Sequence, residues 1–506
     1  MMEILVDATG CYQRNVEAMT LCKDASLGKP RGIETAMEQL KQTSAKAPVA
    51  KRPAKRTKVL ILSGGFAGVY AALEFETLLR RRRDIEVTLV SRDNFFLFTP
   101  MLHEIAASDL EFNAIVNPLR KMLGRVDSFV GTIEQIDLTN KRVVVSHGFH
   151  QHLDDLDYDH LILALGCSTN FFNLPGIEAS ALSFKTLGDA VELRNRLISS
   201  IEEASSECAA SERRPLLTVV VAGGGFAGVE TLGAINNFVL EAIRFYPNLR
   251  GDDLRMVLVT PDELILPELG PKLGAYAQRK LLKRGIEIIT RERVKAATSD
   301  GIELTNGATI LSHTLIWTAG TAAHPLLARL PIPNEHGRIK VNEFFQVDGF
   351  PGLWAAGDCA LIPDLVTGGF HPPAAQHAIR EGRAAARNVV AEIEGGRKKP
   401  FRFSALGRLA AIGQRTGVAN IFGISFSGFF AWWLWRTVYL SKLPRFEKKV
   451  RVALDWTLDL CFAKDFACIR PNGPNRAAQA GANPFCSAAE PAASQMPKIR
   501  ATAARG

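Results

Sequence analysis

The chain has 506 residues, too many for one compact core, so length alone calls for two or three domains. Apolar residues at 47% and charged residues at 22% exclude a fibrous or wholly disordered chain. The net charge of +9 is unevenly placed: residues 41–58 carry seven Lys/Arg and no acid, with one Val as the only sizeable apolar residue, and read as disordered. The Ala-, Pro- and Asn-rich stretch 471–506 reads the same way.

The eight cysteines form no CxxC, which argues against a disulfide framework or structural zinc and for a reducing compartment. No metal site and no nucleic-acid partner are expected. The opening MMEILVDATG lacks a basic stretch followed by an apolar one, so no secretory signal is expected. The early acids Glu3, Asp7 and Glu17 disfavour a mitochondrial transit peptide. No run reaches the roughly 18–20 apolar residues that span a bilayer; the nearest, Ile421–Trp435, ends at Arg436.

In chain order, the first predicted unit is the strand VLIL, the turn SGGFAG (Ser63, Gly64, Gly65, Phe66, Ala67, Gly68), the helix VYAALEFETLL and the strand IEVTLV. Arg80–Arg83 fall where a helix C-terminus favours cations. A GxGxxG turn between strand and helix binds a dinucleotide. Its first glycine makes the tight turn, the second lets the pyrophosphate approach, and the third lets helix and strand pack. The unpaired N–H groups of the helix start then face the phosphates. The plan returns as LLTVVVA, GGGFAG (Gly223, Gly225, Phe226, Gly228), VETLGAINNFVLEAI and RMVLVT. A lone pattern of this kind is weak, but two in context predict two dinucleotides, one per domain. Ser91, followed by Arg92, and Thr260 stand at the ends of the second strands, where an acid commonly binds the ribose. NADH over NADPH is therefore not set by spacing, although no Arg in TPDEL welcomes a 2′-phosphate. The histidines of HGFHQH (147, 150, 152) read as a polar hairpin rather than a metal site.

Toward the C-terminus, residues 422–440 (FGISFSGFFAWWLWRTVYL) are dense in Trp and Phe. Residues 436–451 add six Lys/Arg against the single acid Glu447, and Pro444 divides the stretch into two helices. Aromatic surface beside a cationic rim predicts helices lying in a membrane interface; the alternative is a helix hairpin packed on the body.

Taken together, VLILSGGFAGVYAA, NFFLFTPML, YDHLILALGCSTNFF, VVVAGGGFAGVE, LIWTAGT, LWAAGDCA, PPAAQHAIREG and the aromatic C-terminal run resemble the type II NADH:quinone oxidoreductases, over roughly residues 57–465. These are non-proton-pumping peripheral membrane flavoproteins of the pyridine nucleotide-disulfide oxidoreductase kind. The resemblance implies an α/β fold with two Rossmann-like dinucleotide-binding domains, for FAD and for NADH, plus a C-terminal amphipathic helical membrane-binding region. It divides the chain into an N-terminal extension (1–56), an FAD domain in two parts (57–170 and 323–400), an NADH domain (171–322), a membrane-associated region (401–470) and a tail (471–506).

By resemblance, the first turn holds FAD and the second NADH. Gly357 and Asp358 would reach the flavin's ribitol–phosphate arm. Thr318, Ala319 and Gly320 would lie where nicotinamide meets flavin, with Glu230 beside the nicotinamide; an ordinary first-turn acid explains Glu230 as well. Gln376 matches the first glutamine of the family's quinone motif, with His377 next to it, whereas Arg380 replaces the second glutamine. The expected activity is hydride transfer from NADH to flavin and then two electrons to a membrane quinone, at the cytoplasmic face of a bacterial inner membrane. A homodimer is left open. The alternatives are a sulfide:quinone oxidoreductase using Cys167 and Cys359, or a flavoprotein acting mainly as an NADH-dependent binding or signalling partner. Ser63 departs from the family's glycine and is expected to need a backbone conformation that an L-residue reaches readily.

Overall fold

The computed structural model describes residues 56–468 except Gln414 and Leu460. The expected extension before residue 56 and the tail from 471 lie outside the described residues. The first unit runs β1 (Thr57–Leu62), α1 (Phe66–Leu78), β2 (Ile85–Ser91), a short helix α2 (Leu102–Ala106), β3 (Asp127–Val130) and β4 (His160–Leu163). β2 and β4 flank β1, β3 lies outside β2, and all pair in parallel. Val59–Leu62 are buried on both faces, which is why the strand reads as an unbroken apolar run and does not alternate.

A second parallel sheet follows, from β5 (Ala181–Ser183), α3 (Leu187–Ser206), β6 (Thr218–Ala222), α4 (Phe226–Ile243), β7 (Arg255–Thr260), β8 (Ile286–Thr290) and β9 (Thr314–Trp317). Its order is β5-β9-β6-β7-β8. α3 starts with a capping box in which Thr186 accepts from the Asp189 N–H and Asp189 accepts from the Thr186 N–H. The chain then returns to the first sheet as β10 (Leu353–Ala355), parallel to β4. Both sheets thus share one plan, with the glycine turn leaving the central strand where neighbours lie on either side. That switch point is where open α/β sheets bind ligands.

α5 (Ala375–Ile393) lies against α1 so closely that a Cβ on Gly382 would stand 2.1 Å from the Ala67 carbonyl oxygen. α1 is consequently covered by its own sheet on one face and α5 on the other, and buries Ala67–Ala72 as a continuous run.

The C-terminal region begins as an antiparallel sheet of β11 (Gly407–Ala411), β12 (Gly417–Ile421) and β13 (Ile424–Gly428). α6 (Phe429–Lys442) and α7 (Phe446–Leu458) follow, with Pro444 between them. The aromatic run is therefore part strand and part helix, and it has two faces. Phe429, Phe430 and Trp433 are exposed, whereas Trp435 is fully buried. The expected cationic rim is also thinner than its sequence: the Arg436 guanidinium lies 4.3 Å from the Trp432 ring centre and 4.5 Å from that of Trp456. Lys448 is buried and donates to the Asn113 carbonyl. Indole faces attract a guanidinium strongly enough to draw it off the surface. Among the described residues, no helix is long and apolar enough to cross a membrane.

Candidate functional site

The two glycine turns have the same geometry. Ser63 adopts φ +99° and Gly223 φ +119°. The expectation for Ser63 is corrected here: an L-residue sits in a conformation that glycine favours, because the turn is fixed elsewhere. A Cβ on Gly68 would approach the Ser63 carbonyl oxygen to 1.9 Å, and one on Gly228 would approach that of Gly223 to 2.0 Å. These third glycines press helix onto strand and dictate the turn whatever residue leads it. The Ser63 hydroxyl accepts from the Gly65 N–H at 3.3 Å.

The middle glycines differ in kind. A Cβ on Gly225 would meet nothing within 4 Å, so no protein atom accounts for the missing side chain. An open backbone at a helix start with no side-chain cap fits an approaching pyrophosphate. Gly65 opens α1 in the same manner, again uncapped by any side chain. Beneath the turns lie Ser91 and Thr260, each buried, with hydroxyls 2.4 and 2.6 Å from where Cβ atoms of Gly64 and Gly224 would stand. Arg92 is exposed and pairs with Asp93 at 3.4 Å. Phe66 packs edge-on against Phe96 at 4.9 Å, and Phe226 is half-buried against the core.

The GD turn meets the first glycine turn directly. Gly357, at φ +79°, would bring a Cβ within 2.8 Å of Ala67 Cβ, and its N–H donates to the buried Glu381 carboxyl of α5 at 2.9 Å. Burial pushes Glu381 up to about 8 and raises Asp358 above the usual carboxylate range. Asp358 accepts from the Cys167 thiol at 3.5 Å, and Lys185 Nζ lies 3.1 Å from the same sulfur. Arg338 donates to the Asp358 carbonyl at 3.1 Å. Three separated stretches, 63–68, 357–358 and 375–382, thus meet at Ala67. That cradle suits a long phosphate-bearing ligand such as FAD.

At the second turn, the Thr318 hydroxyl donates to the Ala222 carbonyl at 2.8 Å and crowds both Gly223 and Gly228. Ala319 is exposed, and Gly320 lies under the Phe172 ring. Glu230 is buried and turned toward the C-terminal region. One of its oxygens accepts from the Ala411 N–H at 3.0 Å and from the Trp435 indole N–H at 2.9 Å. Burial pushes its pKa up to about 8. Glu104 on α2 mirrors it, accepting from the Trp456 indole at 3.0 Å and also pushed up to about 8 by burial. Neither indole was a candidate from sequence, since a Trp in an aromatic run gives no sign of which way it points.

Gln376 and His377 open α5. The Gln376 amide donates to the Gly407 carbonyl at 3.4 Å, and the buried His377 ring meets the Phe403 ring at 5.0 Å. Neither cysteine of the sulfide alternative resembles a nucleophile. Cys359 is fully buried and pushed to about 12, and Cys167 is raised by burial and by Asp358, whereas reactive cysteines have lowered values. Among the described residues, no group of His, Cys, Asp and Glu could hold a metal ion.

Comparison with known proteins agrees with this geometry. The pyridine nucleotide-disulphide oxidoreductase profile matches residues 57–382, and that of the NDH2 C-terminal domain matches 406–465. A probable NADH dehydrogenase of Dictyostelium discoideum is 30% identical, covering 86% of this chain and 98% of its own. A type II NADH:quinone oxidoreductase of Mycobacterium tuberculosis is 29% identical, over 80% of this chain and 89% of its own. The solved NDH2 of Plasmodium falciparum in complex with NADH shares the fold at TM-score 0.76 and 20% identity, over 82% of this chain and all of that one. The chain belongs to the pyridine nucleotide-disulphide oxidoreductase family and, within it, to the type II NADH dehydrogenases.

Proposed function

We propose that this enzyme oxidises NADH and reduces a membrane quinone without moving protons across the membrane, with FAD held at the first glycine turn and NADH at the second. The observation that carries the reading is the pair of turns at equivalent points of two like sheets, each open at its middle glycine. When bound, FAD would supply the acceptor for the hydride of NADH and the two-electron donor for the quinone. Ser63–Gly68, Ser91, Arg92, Gly357 and Asp358 hold the FAD; Gly223, Gly225, Phe226, Gly228 and Thr318–Gly320 hold NADH, with Glu230 supporting the helix behind the turn. Being protonated below about pH 8, Glu230 places no negative charge beneath the nucleotide. Gln376 and His377 face the acceptor.

The exposed apolar residues Phe446, Val450, Leu454 and Leu458 recur every four positions on α7, beside Phe429, Phe430 and Trp433 on α6. That spacing makes one greasy stripe per helix. With the exposed cations Lys442 and Arg451 at its margin, it supports docking on an anionic leaflet, at the cytoplasmic face of a bacterial inner membrane. A homodimer is compatible with this arrangement. The test is turnover of the purified protein with NADH and a short-chain quinone, against NADPH and sulfide as alternative donors. NADH-driven quinone reduction is expected; sulfide-driven reduction alone, or no turnover with a spectrally normal flavin, would refute the reading.

A further inference from the structure

The start of α5 carries an unbalanced positive charge. The helix is fixed there by the Glu381–Gly357 bond and by Gly382 against Ala67, so its first turns sit beside the GD turn and the first glycine turn. On that fixed surface Arg380 Nη1 donates to the Gln376 carbonyl at 2.7 Å, while its guanidinium lies 4.1 Å from the Phe403 ring centre. Hydrogen bond and stacking together hold the fork in one place. Among the described residues no carboxylate pairs with Arg380, and the neighbouring charge that acts on it is the like charge of Arg383.

A second feature lies one turn away. His371 and His377 are both 3% exposed, their rings are 5.4 Å apart, and His371 Nε2 and His377 Nδ1 have no hydrogen-bond partner. Buried polar atoms are normally paired, and an orphaned pair on one wall marks a place for a ligand's polar atom. Burial first, then His371, Arg380 and Arg408, hold His377 down to about 4, with Asp364 opposing; His371 is lowered by burial, again against Asp364. Both imidazoles are therefore mostly neutral at pH 7, and the charge beside them is that of Arg380 and Arg408. Phe370 and Leu406 are exposed apolar residues, the first next to His371 in the chain and the second next to Gly407, which accepts from Gln376. Exposed apolar residues nearby in the chain, an uncompensated cation and unpartnered ring nitrogens suit a flat ring bearing an ionised oxygen.

Resting on the reading of this site as the acceptor site, we infer that Arg380 makes it selective for an acidic quinone, one whose ring hydroxyl is ionised, over a neutral quinone of the same size. A glutamine at this position would offer hydrogen bonds without charge.

The probes are 2-hydroxy-1,4-naphthoquinone, ionised at neutral pH, and the neutral 2-methyl-1,4-naphthoquinone, titrated against the flavin-loaded enzyme by fluorescence quenching. The hydroxy compound is expected to bind more tightly to the natural protein. Arg380→Gln should weaken it by about 10- to 100-fold, as for loss of a charge-assisted hydrogen bond. The methyl compound should change by less than about 3-fold, and Arg380→Lys should recover part of the loss. Equal weakening of both probes by Arg380→Gln would overturn the inference, since the side chain would then only shape the pocket. Unchanged discrimination with a lowered flavin midpoint potential would overturn it too, the charge then serving the flavin. If neither probe binds while NADH still bleaches the flavin, the acceptor site itself lies elsewhere and the inference falls with it.

Discussion

The two glycine turns are nearly the same object in different surroundings. Each leaves the central strand of a five-stranded parallel sheet, enters positive φ at its first residue and jams its third glycine against a carbonyl oxygen. What differs is the cover. At the first turn Gly357 and Gly382 press on Ala67, whereas the second is crowded by Thr318 and braced from behind by Glu230 and Trp435; the middle glycines Gly65 and Gly225 are open in both. A resident cofactor suits the turn that the GD turn and α5 flank, and a nucleotide that exchanges every cycle suits the one they leave free.

The comparison breaks most sharply at the third glycines. Gly68→Ala and Gly228→Ala each place a methyl far inside van der Waals contact with a carbonyl oxygen, an overpacking that costs about 1–3 kcal/mol or more. Gly68→Ala is expected to purify with little flavin. Gly228→Ala should keep its flavin and raise KM for NADH by about 10-fold or more; flavin loss from both alike would erase the proposed division of labour.

Trp435→Phe removes the indole donor from Glu230 while keeping an aromatic ring in the core. A buried hydrogen bond lost on one side costs about 1–3 kcal/mol. Thermal unfolding should show a loss in that range, together with a weaker KM for NADH and little change in flavin content. An unaltered KM would separate the brace from the nucleotide site.

Glu104 offers a pH test of the matching brace at α2. Its folded pKa of about 8 exceeds the unfolded value near 4.5, so the folded state holds the extra proton between those pH values. Its contribution is present below about pH 4.5 and is lost as pH rises to about 8, at up to about 1.4 kcal/mol per pH unit. Arg436, Asp109, Lys464 and Trp456 face this group. Glu104→Gln, which can still accept from Trp456, should flatten melting temperature against pH across that window.

The smallest effect belongs to Ser63→Gly. Relief of a strained φ, about 1–3 kcal/mol, is offset by about 0.4–1 kcal/mol of added freedom in the unfolded chain. A gain of about 1 kcal/mol is expected, with flavin content equal or higher. The serine hydroxyl also accepts from the Gly65 N–H that opens α1, so its removal frees that donor. A clear drop in flavin would show that the hydroxyl itself holds the cofactor.

How much of this was legible in sequence follows from the range of the interactions. The strand–turn–helix units were readable because their determinants lie within a few residues: buried runs such as VVVA, glycines at fixed spacing, a proline between two helices. The conformation of Ser63 was misread because the residue alone prefers negative φ, while its carbonyl is held by Gly68 across the turn. The inward turn of Trp435, Arg436 and Lys448 was hidden for a different reason. Glu230 and Asn113 lie far off in the chain from Trp435 and Lys448, and Arg436 reaches Trp456 only once α6 and α7 are packed, so an aromatic, cationic stretch reads as surface until those partners are in place.

The central claim is that two nucleotide sites share one electron path, and anaerobic titration of the flavin absorbance tests it most directly. One equivalent of NADH should bleach one flavin, and one equivalent of a short-chain quinone should then restore the oxidised spectrum in full. A flavin that sulfide bleaches and NADH does not, or that NADH reduces and quinone fails to reoxidise, would contradict the account.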